Sequence, residues 1–178
     1  MLVTKPDAVN WDSFGWRTVR RAREIDPAKG VKWRLFPDWE RAGLEFVEAC
    51  QMAWSDGKWC VYFDEGYHIK EVGAEATMVK LLTQGRSKLI TVVVGMQRPS
   101  WVTKFALSEP THVFSFRLNL GMDLKKIRDE CGREMEDAIR GLNRYQFAYL
   151  NQETREIQIG RESDVLSLLG ANNVSGIR

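Results

Sequence analysis

The stretch Val61-Tyr62-Phe63-Asp64-Glu65, an apolar run that ends in two acids, decides the fold of this chain. Unbroken apolar runs of this kind are typical of strands buried on both faces of a parallel sheet. Functional side chains collect at the carboxyl edge of such sheets, where one acid can hold Mg²⁺ and another can polarise water. Acid pairs are also common in turns after strands, so this pair alone leaves both interpretations open.

A second strand ends in a polar residue, in the stretch Val92-Val93-Val94-Gly95-Met96-Gln97-Arg98-Pro99. Its β-branched residues predict a strand over 89–96, which Pro99 ends. If this strand neighbours the one before Asp64, the amide of Gln97 can sense the γ-phosphate of a nucleotide and orient the attacking water. The alternative is a turn that only leads the chain out of the sheet.

The remaining pattern alternates strands with helices, which predicts an α/β domain with a largely parallel sheet flanked by helices. A C-terminal β-hairpin follows, and we expect one domain over 1–170 with a flexible tail over 171–178. Besides the strand over 89–96, we predict strands over 1–4, 31–36, 59–63 and 111–116. Two helices are predicted to begin at Asp38 and Glu71, and three more to cover 102–107, 123–131 and 133–142. The hairpin joins 145–150 to 156–159.

Bulk composition excludes several classes of protein. The chain has 178 residues, 44% of them apolar and 28% charged, as in an ordinary globular domain. Its net charge of +2 neither favours nor excludes nucleic acid. The chain has three cysteines and no CxxC pair, so we expect neither a zinc site nor a disulfide framework. With no apolar run long enough to span a membrane, we expect a cytoplasmic protein.

One basic segment allows two interpretations. Residues 9–30 include Arg17, Arg20, Arg21 and Arg23 close to tryptophan and phenylalanine. Such a cluster is consistent with a solvated helix face or with a patch that contacts DNA phosphates.

Order and spacing add what single motifs do not. Between the two polar strand ends lies an amphipathic helix that ends in Gly85-Arg86. A strand ending in Asp-Glu, a helix, Gly-Arg and a strand ending in Gln-Arg-Pro closely resemble the HerA–FtsK superfamily of P-loop ATPases over about residues 58–120. The resemblance implies a RecA-like core that binds ATP and Mg²⁺ and, in the full-length protein, a hexameric homo-oligomer that translocates double-stranded DNA.

The same resemblance assigns roles to residues. Asp64 and Glu65 would be the Walker B pair, with Asp64 on the metal and Glu65 as the general base, and Gln97 would be the polar sensor. Arg86 would act across a subunit boundary on the developing phosphoryl charge, with Arg117 as a second candidate. The alternative for Arg86 is a cation matched to the dipole at a helix C-terminus.

One element of the family is missing from the sequence, since no G-x-x-x-x-G-K-[ST] phosphate loop occurs. We therefore expect a core truncated at its N-terminus that does not turn over ATP by itself. The missing strand would lie between the strand ending at Gln97 and the one over 111–116. The implied function is part of a motor for DNA packaging, conjugation or segregation, in the host cytoplasm if viral; the alternatives are a non-catalytic assembly or regulatory subunit and an unrelated α/β enzyme.

Overall fold

The computed structural model describes residues 1–3, 11–161 and 163–164. The chain divides into two compact units, Met1–Ala106 and Leu107–Arg178. Residue 4, the end of the strand predicted over 1–4, and the predicted tail over 171–178 lie outside the described residues. The prediction of one domain over 1–170 stays a prediction.

The described residues form seven strands and six α-helices, joined by turns and short 3₁₀ segments. The first unit contains β1 Trp16–Val19, β2 Lys32–Leu35, α1 Ala42–Asp56, β3 Cys60–Phe63, α2 Gly66–Glu71, α3 Glu75–Gln84, β4 Thr91–Val94 and α4 Phe105–Ser108. The second contains β5 His112–Phe116, α5 Gly121–Cys131, α6 Arg133–Arg140, β6 Gln146–Asn151 and β7 Ile157–Arg161.

The strands of the first unit are parallel. β1 pairs with β2, and β3 pairs with β4. Leu2 makes parallel bridges to Leu35 of β2 and to Phe63 of β3, so the N-terminal segment joins the two pairs. The resulting order is β1, β2, the segment around Leu2, β3 and β4. The predicted α/β class is therefore confirmed, although the paired strands are only four residues long and a large parallel sheet is not confirmed.

Helices α1 and α3 supply much of the core of this unit. Phe46 and Cys50 of α1 and Met78 and Leu81 of α3 are buried in one apolar cluster with Phe63 of β3. The helical spacing predicted this buried face correctly for Phe46 and Cys50 of α1. For α3 the predicted face, with Ala76, Val79 and Leu82, is wrong, since Ala76 is exposed and the other two are only half-buried.

Several boundaries differ from the predictions. The helix predicted from Glu71 begins only at Glu75, as α3, because Gly73 adopts a positive φ of 80° and separates it from α2. The helix α2, which ends at Glu71, was not predicted. Asp38 precedes a 3₁₀ turn and makes no side-chain cap, and α1 begins only at Ala42. Trp39, expected in the core, is exposed because it lies in that turn. β1 was not predicted, because a strand of four residues gives little periodic signal.

The second unit is an antiparallel sheet of order β5, β6 and β7, so the predicted hairpin is confirmed. One face of the sheet buries Val113, Ala148 and Leu150. On the other face, which we call the aromatic face, the centroids of neighbouring rings lie 4.8 to 6.5 Å from each other. Its members are His112, Phe114, Phe116, Phe147 and Tyr149.

Each strand next to the expected gap has a partner inside its own unit in the described residues. There, β4 pairs with β3 and β5 pairs with β6. The expected place of a missing strand stays a prediction.

Candidate functional site

The carboxyl ends of β3 and β4 meet at one edge of the first sheet. The two strands pair in parallel with Phe63 opposite Val94. Beyond this pair, the amide of Gly95 donates to the carbonyl of Phe63 at 2.8 Å, and the amide of Gly66 donates to the carbonyl of Gly95 at 2.9 Å. These bonds continue the ladder past the strands, so the residues that follow them are held side by side.

Two glycines permit this close approach. A Cβ at Gly95 would lie 2.5 Å from the carbonyl oxygen of Asp64, and a Cβ at Gly66 would lie 2.9 Å from Cγ1 of Val94. Sequence reasoning quoted Gly95 within the strand motif but gave it no role. A glycine at the end of a buried strand was the available signal, because it often marks close approach of two backbones.

Glu65 is a predicted site residue that is buried and hydrogen-bonded at this edge. It is 7% exposed, and its Oε1 accepts a hydrogen bond from the backbone amide of Gln97 at 3.4 Å. Its carbonyl accepts from the amide of His68 at 3.1 Å, which starts α2. Glu65 and Gln97 are thus brought together as predicted, through the backbone of Gln97 rather than its side-chain amide.

Asp64 is half-buried beside them. The hydroxyl of Tyr62 donates to its Oδ1 at 3.4 Å. Burial first, and then the Asp64 and Glu65 carboxylates, raise the pKa of the Tyr62 hydroxyl. Because a raised pKa keeps Tyr62 protonated, it remains a donor to Asp64 at neutral pH.

Asp64 and Glu65 place two carboxylates at this edge of the sheet. In the described part of the chain, no three His, Cys, Asp or Glu side chains are grouped so as to hold a metal ion. Mg²⁺ is usually held by one or two carboxylates, with water and phosphate oxygens completing its shell. Asp64 and Glu65 fit that pattern.

The two candidate arginines lie elsewhere. Arg86 is exposed in the turn Gly85–Lys88, which precedes β4, so it lies at the amino end of that strand. Asp64, Glu65 and Gln97 follow their strands at the opposite edge. Arg117 is exposed after β5, in the second unit. Arg86 therefore lies away from the Glu65 edge within the first unit, and its role stays a prediction.

Aromatic residues border the candidate site and were missed by the sequence analysis. The Tyr67 and Trp101 rings lie 4.9 Å apart, and the guanidinium of Arg98 lies 4.4 Å from the centre of the Trp101 ring. Arg98 and Trp101 flank Pro99, so the Gln-Arg-Pro motif was the signal that could have found them.

A cavity of about 520 Å³ lies away from these groups. It is formed by α1 and the turn after α2, with Trp39, Leu44 and Val72 among its lining residues. Since its lining does not include Asp64, Glu65 or Gln97, the site stands at an open sheet edge rather than in this cavity. Among the described residues, no helix is both long and apolar enough to cross a membrane.

The candidate site thus combines acids after one parallel strand with an amide-bearing residue after its neighbour. Known proteins resemble the chain in sequence and in fold. Over 88 residues the chain is 38% identical to the DNA packaging ATPase P9 of Enterobacteria phage PRD1. This match covers 48% of the chain but only 38% of the phage protein. No model of a protein family matches the chain.

Solved structures share the fold over a longer span. The genome packaging NTPase B204 of Sulfolobus turreted icosahedral virus 2, in complex with ATP-γ-S, has a TM-score of 0.67 and 14% identity, covering 85% of this chain and 77% of that one. The DNA-packaging ATPase B204 of Sulfolobus turreted icosahedral virus has a TM-score of 0.62 and 16% identity, covering 86% and 76%. The predicted resemblance to viral genome-packaging ATPases is confirmed.

Proposed function

We propose that this chain forms the hydrolysis edge of an ATP-driven motor that packages double-stranded viral DNA. The observation that carries the proposal is the contact between Glu65 and Gln97, which brings the two predicted strand ends together. The sequence match to a phage DNA packaging ATPase supports it. So does the shared fold with a packaging NTPase that was solved with an ATP analogue.

Each residue at the edge has a part in this proposal. Asp64 holds Mg²⁺ through its water shell, Glu65 takes the proton of the attacking water, and Gln97 senses the γ-phosphate. ATP and Mg²⁺ supply the transferable phosphoryl group and the neutralising charge. Because the Gln97 backbone donates to Glu65, a movement of the sensor loop alters the position of the base.

The assembly we propose is a homo-oligomeric ring, hexameric in the full-length protein, in the cytoplasm of the host. Arg86 lies at the edge opposite Glu65 of its own chain, so it is suited to meet the hydrolysis edge of a neighbouring chain. Arg117 is the second candidate for this role. The alternative for Arg86 remains a cation at the end of α3, where the helix dipole favours positive charge.

The test is ATP hydrolysis in the presence of the phosphate loop that this sequence lacks. Sequencing upstream of Met1 shows whether an in-frame G-x-x-x-x-G-K-[ST] is encoded. A protein that includes it is expected to release phosphate in a DNA-stimulated reaction, and Glu65→Gln should lower the rate by at least about 100-fold. Glu153→Gln, an exposed acid in the hairpin turn, is the matched control and should leave the rate unchanged. Equal rates for the two variants would contradict the role of Glu65.

A second candidate function is a non-catalytic assembly or regulatory subunit, which the missing phosphate loop favours. We expect the 178-residue chain alone to bind Mg-ATP weakly and not to turn it over. Micromolar affinity by calorimetry, or steady phosphate release, would contradict that expectation. An upstream region without the motif, together with no hydrolysis, would leave this second candidate as the better explanation.

A further inference from the structure

A buried glutamate fixes two arginines beside each other in the first unit. Glu45 of α1 is 2% exposed, and its Oε1 accepts from Nη1 of Arg21 at 3.1 Å and from Nε and Nη2 of Arg41 at 3.3 Å each. Its Oε2 accepts from the backbone amide of Ala22 at 2.8 Å. A buried carboxylate is costly unless it is paired, and these donors satisfy it.

Arg21 and Arg41 each have N–H groups that do not bond to Glu45. A guanidinium carries five N–H groups, of which one from Arg21 and two from Arg41 contact Glu45. Both side chains remain partly exposed beside a cavity of about 320 Å³, whose lining also includes Arg23 and Glu48. Counting these five lining residues, three arginines minus two glutamates leave one net positive charge. In the part of the chain that the structure describes, Arg23 makes no hydrogen bond or ion pair.

The cluster of Arg21, Arg23 and Arg41 lies on the same edge of the sheet as Asp64 but three strand spacings away. Arg21 and Arg23 follow β1, and Arg41 precedes α1 just after β2. Since the strands are parallel, these residues share the carboxyl edge with Asp64. Three strand spacings of about 4.8 Å separate β1 from β3, or roughly 14 Å. A phosphate at the arginine cluster is therefore a different group from one at Asp64.

We propose that Arg21, Arg23 and Arg41 form a phosphate-binding site, with Arg21 and Arg41 held in place by Glu45 and Arg23 reaching for the ligand. Paired guanidinium groups match the geometry of phosphate oxygens, and holding them in place removes the entropy cost of ordering them on binding. The phosphate comes from the backbone of DNA or from a free phosphate compound, which share this chemistry. The proposal does not depend on hydrolysis, because the site is remote from Glu65 and its test contains no ATP.

The DNA arm of the test uses a fluorescein-labelled 20-base-pair duplex and fluorescence anisotropy at several salt concentrations. We expect Arg23→Ala to weaken binding about tenfold and to reduce the slope of log affinity against log salt by about one. Arg133→Ala is the control, since Arg133 of α6 is also highly exposed, pairs only at 3.8 Å with Asp137 and lies outside the cluster. It should leave both quantities unchanged.

The second arm measures the melting temperature in millimolar pyrophosphate without DNA. A rise for the wild-type chain that is absent for Arg23→Ala would identify a free phosphate compound as the ligand, and dependence on Arg23 in the duplex assay alone would identify the DNA backbone. Circular dichroism should show Arg23→Ala folded, because the side chain is exposed and unpaired in the described structure. If neither duplex nor pyrophosphate binding depends on Arg23, the proposal is wrong and the cluster serves only to tie the β1 edge to α1.

Discussion

The edge formed by β3 and β4 and the sheet formed by β5, β6 and β7 use their strands in different ways. In the first, two short parallel strands hold polar residues together where they end, with Glu65 bonded to the Gln97 backbone. In the second, three antiparallel strands bury one face and expose phenylalanines on the other. The first arrangement brings residues that are distant in sequence together, whereas the second leaves apolar side chains exposed among the described residues.

The difference shows what the backbone contributes in each region. At the β3 and β4 edge the carbonyl of Asp64 would be 2.5 Å from a Cβ at Gly95, so substitution there moves backbone. In the second sheet a Cβ at Gly160 would be 2.5 Å from the ring of Phe147, which is a side chain. The β3 and β4 edge is therefore expected to tolerate far less change than the aromatic face.

The largest expected effect compares one residue type in the two regions. Phe63→Ala removes a fully buried ring from the core of the first unit and should lower the free energy of unfolding by about 3 to 5 kcal/mol. Phe114→Ala removes a ring that is 62% exposed and should cost about 1 kcal/mol or less, chiefly its contacts with Phe147 and Tyr149. Urea unfolding followed by circular dichroism measures both. Equal losses would mean that the aromatic face is covered in solution.

The second prediction compares the two glycines. Gly95→Ala should destabilise the chain by about 1 to 3 kcal/mol, because the Asp64 backbone has to move. Gly160→Ala should change stability by less than about 1 kcal/mol, since a ring can shift and alanine suits a strand better than glycine. Thermal melts of the two variants provide the measurement. A larger loss for Gly160→Ala would show that the second sheet is the more tightly constrained of the two regions.

The sequence predicted the first region well because its signals are local. A buried parallel strand has a continuous apolar run, and chain order fixes the residues just past its end. The expectation that Asp64, Glu65 and Gln97 share one edge came from these parallel strands together with the family resemblance. The hairpin likewise follows from two alternating runs with a short connection. The roles of these residues and of Arg86 stay predictions, because position at an edge does not demonstrate chemistry.

What the sequence could not provide depends on contacts between distant residues. For the arginines of 17–23 the sequence predicted either a solvated helix face or a phosphate patch. The structure shows that buried Glu45 of α1 holds the guanidinium groups of Arg21 and Arg41 together, which the sequence pattern does not indicate. β1 is four residues long and gives almost no periodic signal. The break after Glu71 depends on a positive φ at Gly73, which composition does not specify.

The third prediction concerns self-association of the isolated chain. Unpaired edges and exposed apolar faces promote pairing between chains, and Phe116 is 67% exposed beside Phe114. We expect light scattering to show association at moderate concentration, and the double variant Phe114→Ser, Phe116→Ser to reduce it. Met122→Ser removes an equally exposed apolar side chain outside the sheet and should have little effect. A monodisperse, cooperatively melting wild-type monomer would mean that no strand is missing and that its expected place between β4 and β5 is wrong.

The smallest expected effect is a difference in the labelling rates of the three cysteine thiols. Only the thiolate reacts with a disulfide reagent, and burial raises the pKa of Cys50 in α1 to about 12 and that of Cys131 in α5 to about 11. Cys60 is exposed at the start of β3. At pH 8 we therefore expect one fast thiol, Cys60, and two slow ones, with Cys131 reacting before Cys50 because its pKa is raised less.

The pH dependence of the same thiols tests whether their burial persists in solution. Unfolded thiols ionise near 9, before the buried ones, so the thiol contribution to the free energy of unfolding should be constant below that pH and fall as the pH rises from 9 toward 12. Cys60→Ser should abolish the fast phase of labelling and leave the slow phases unchanged, which serves as the control. Fast labelling of Cys131 but not of Cys50 in the folded chain would show that the second unit opens more readily than the first. Fast labelling of Cys50 would instead contradict the packing of α1 against β3, on which the position of the hydrolysis edge depends.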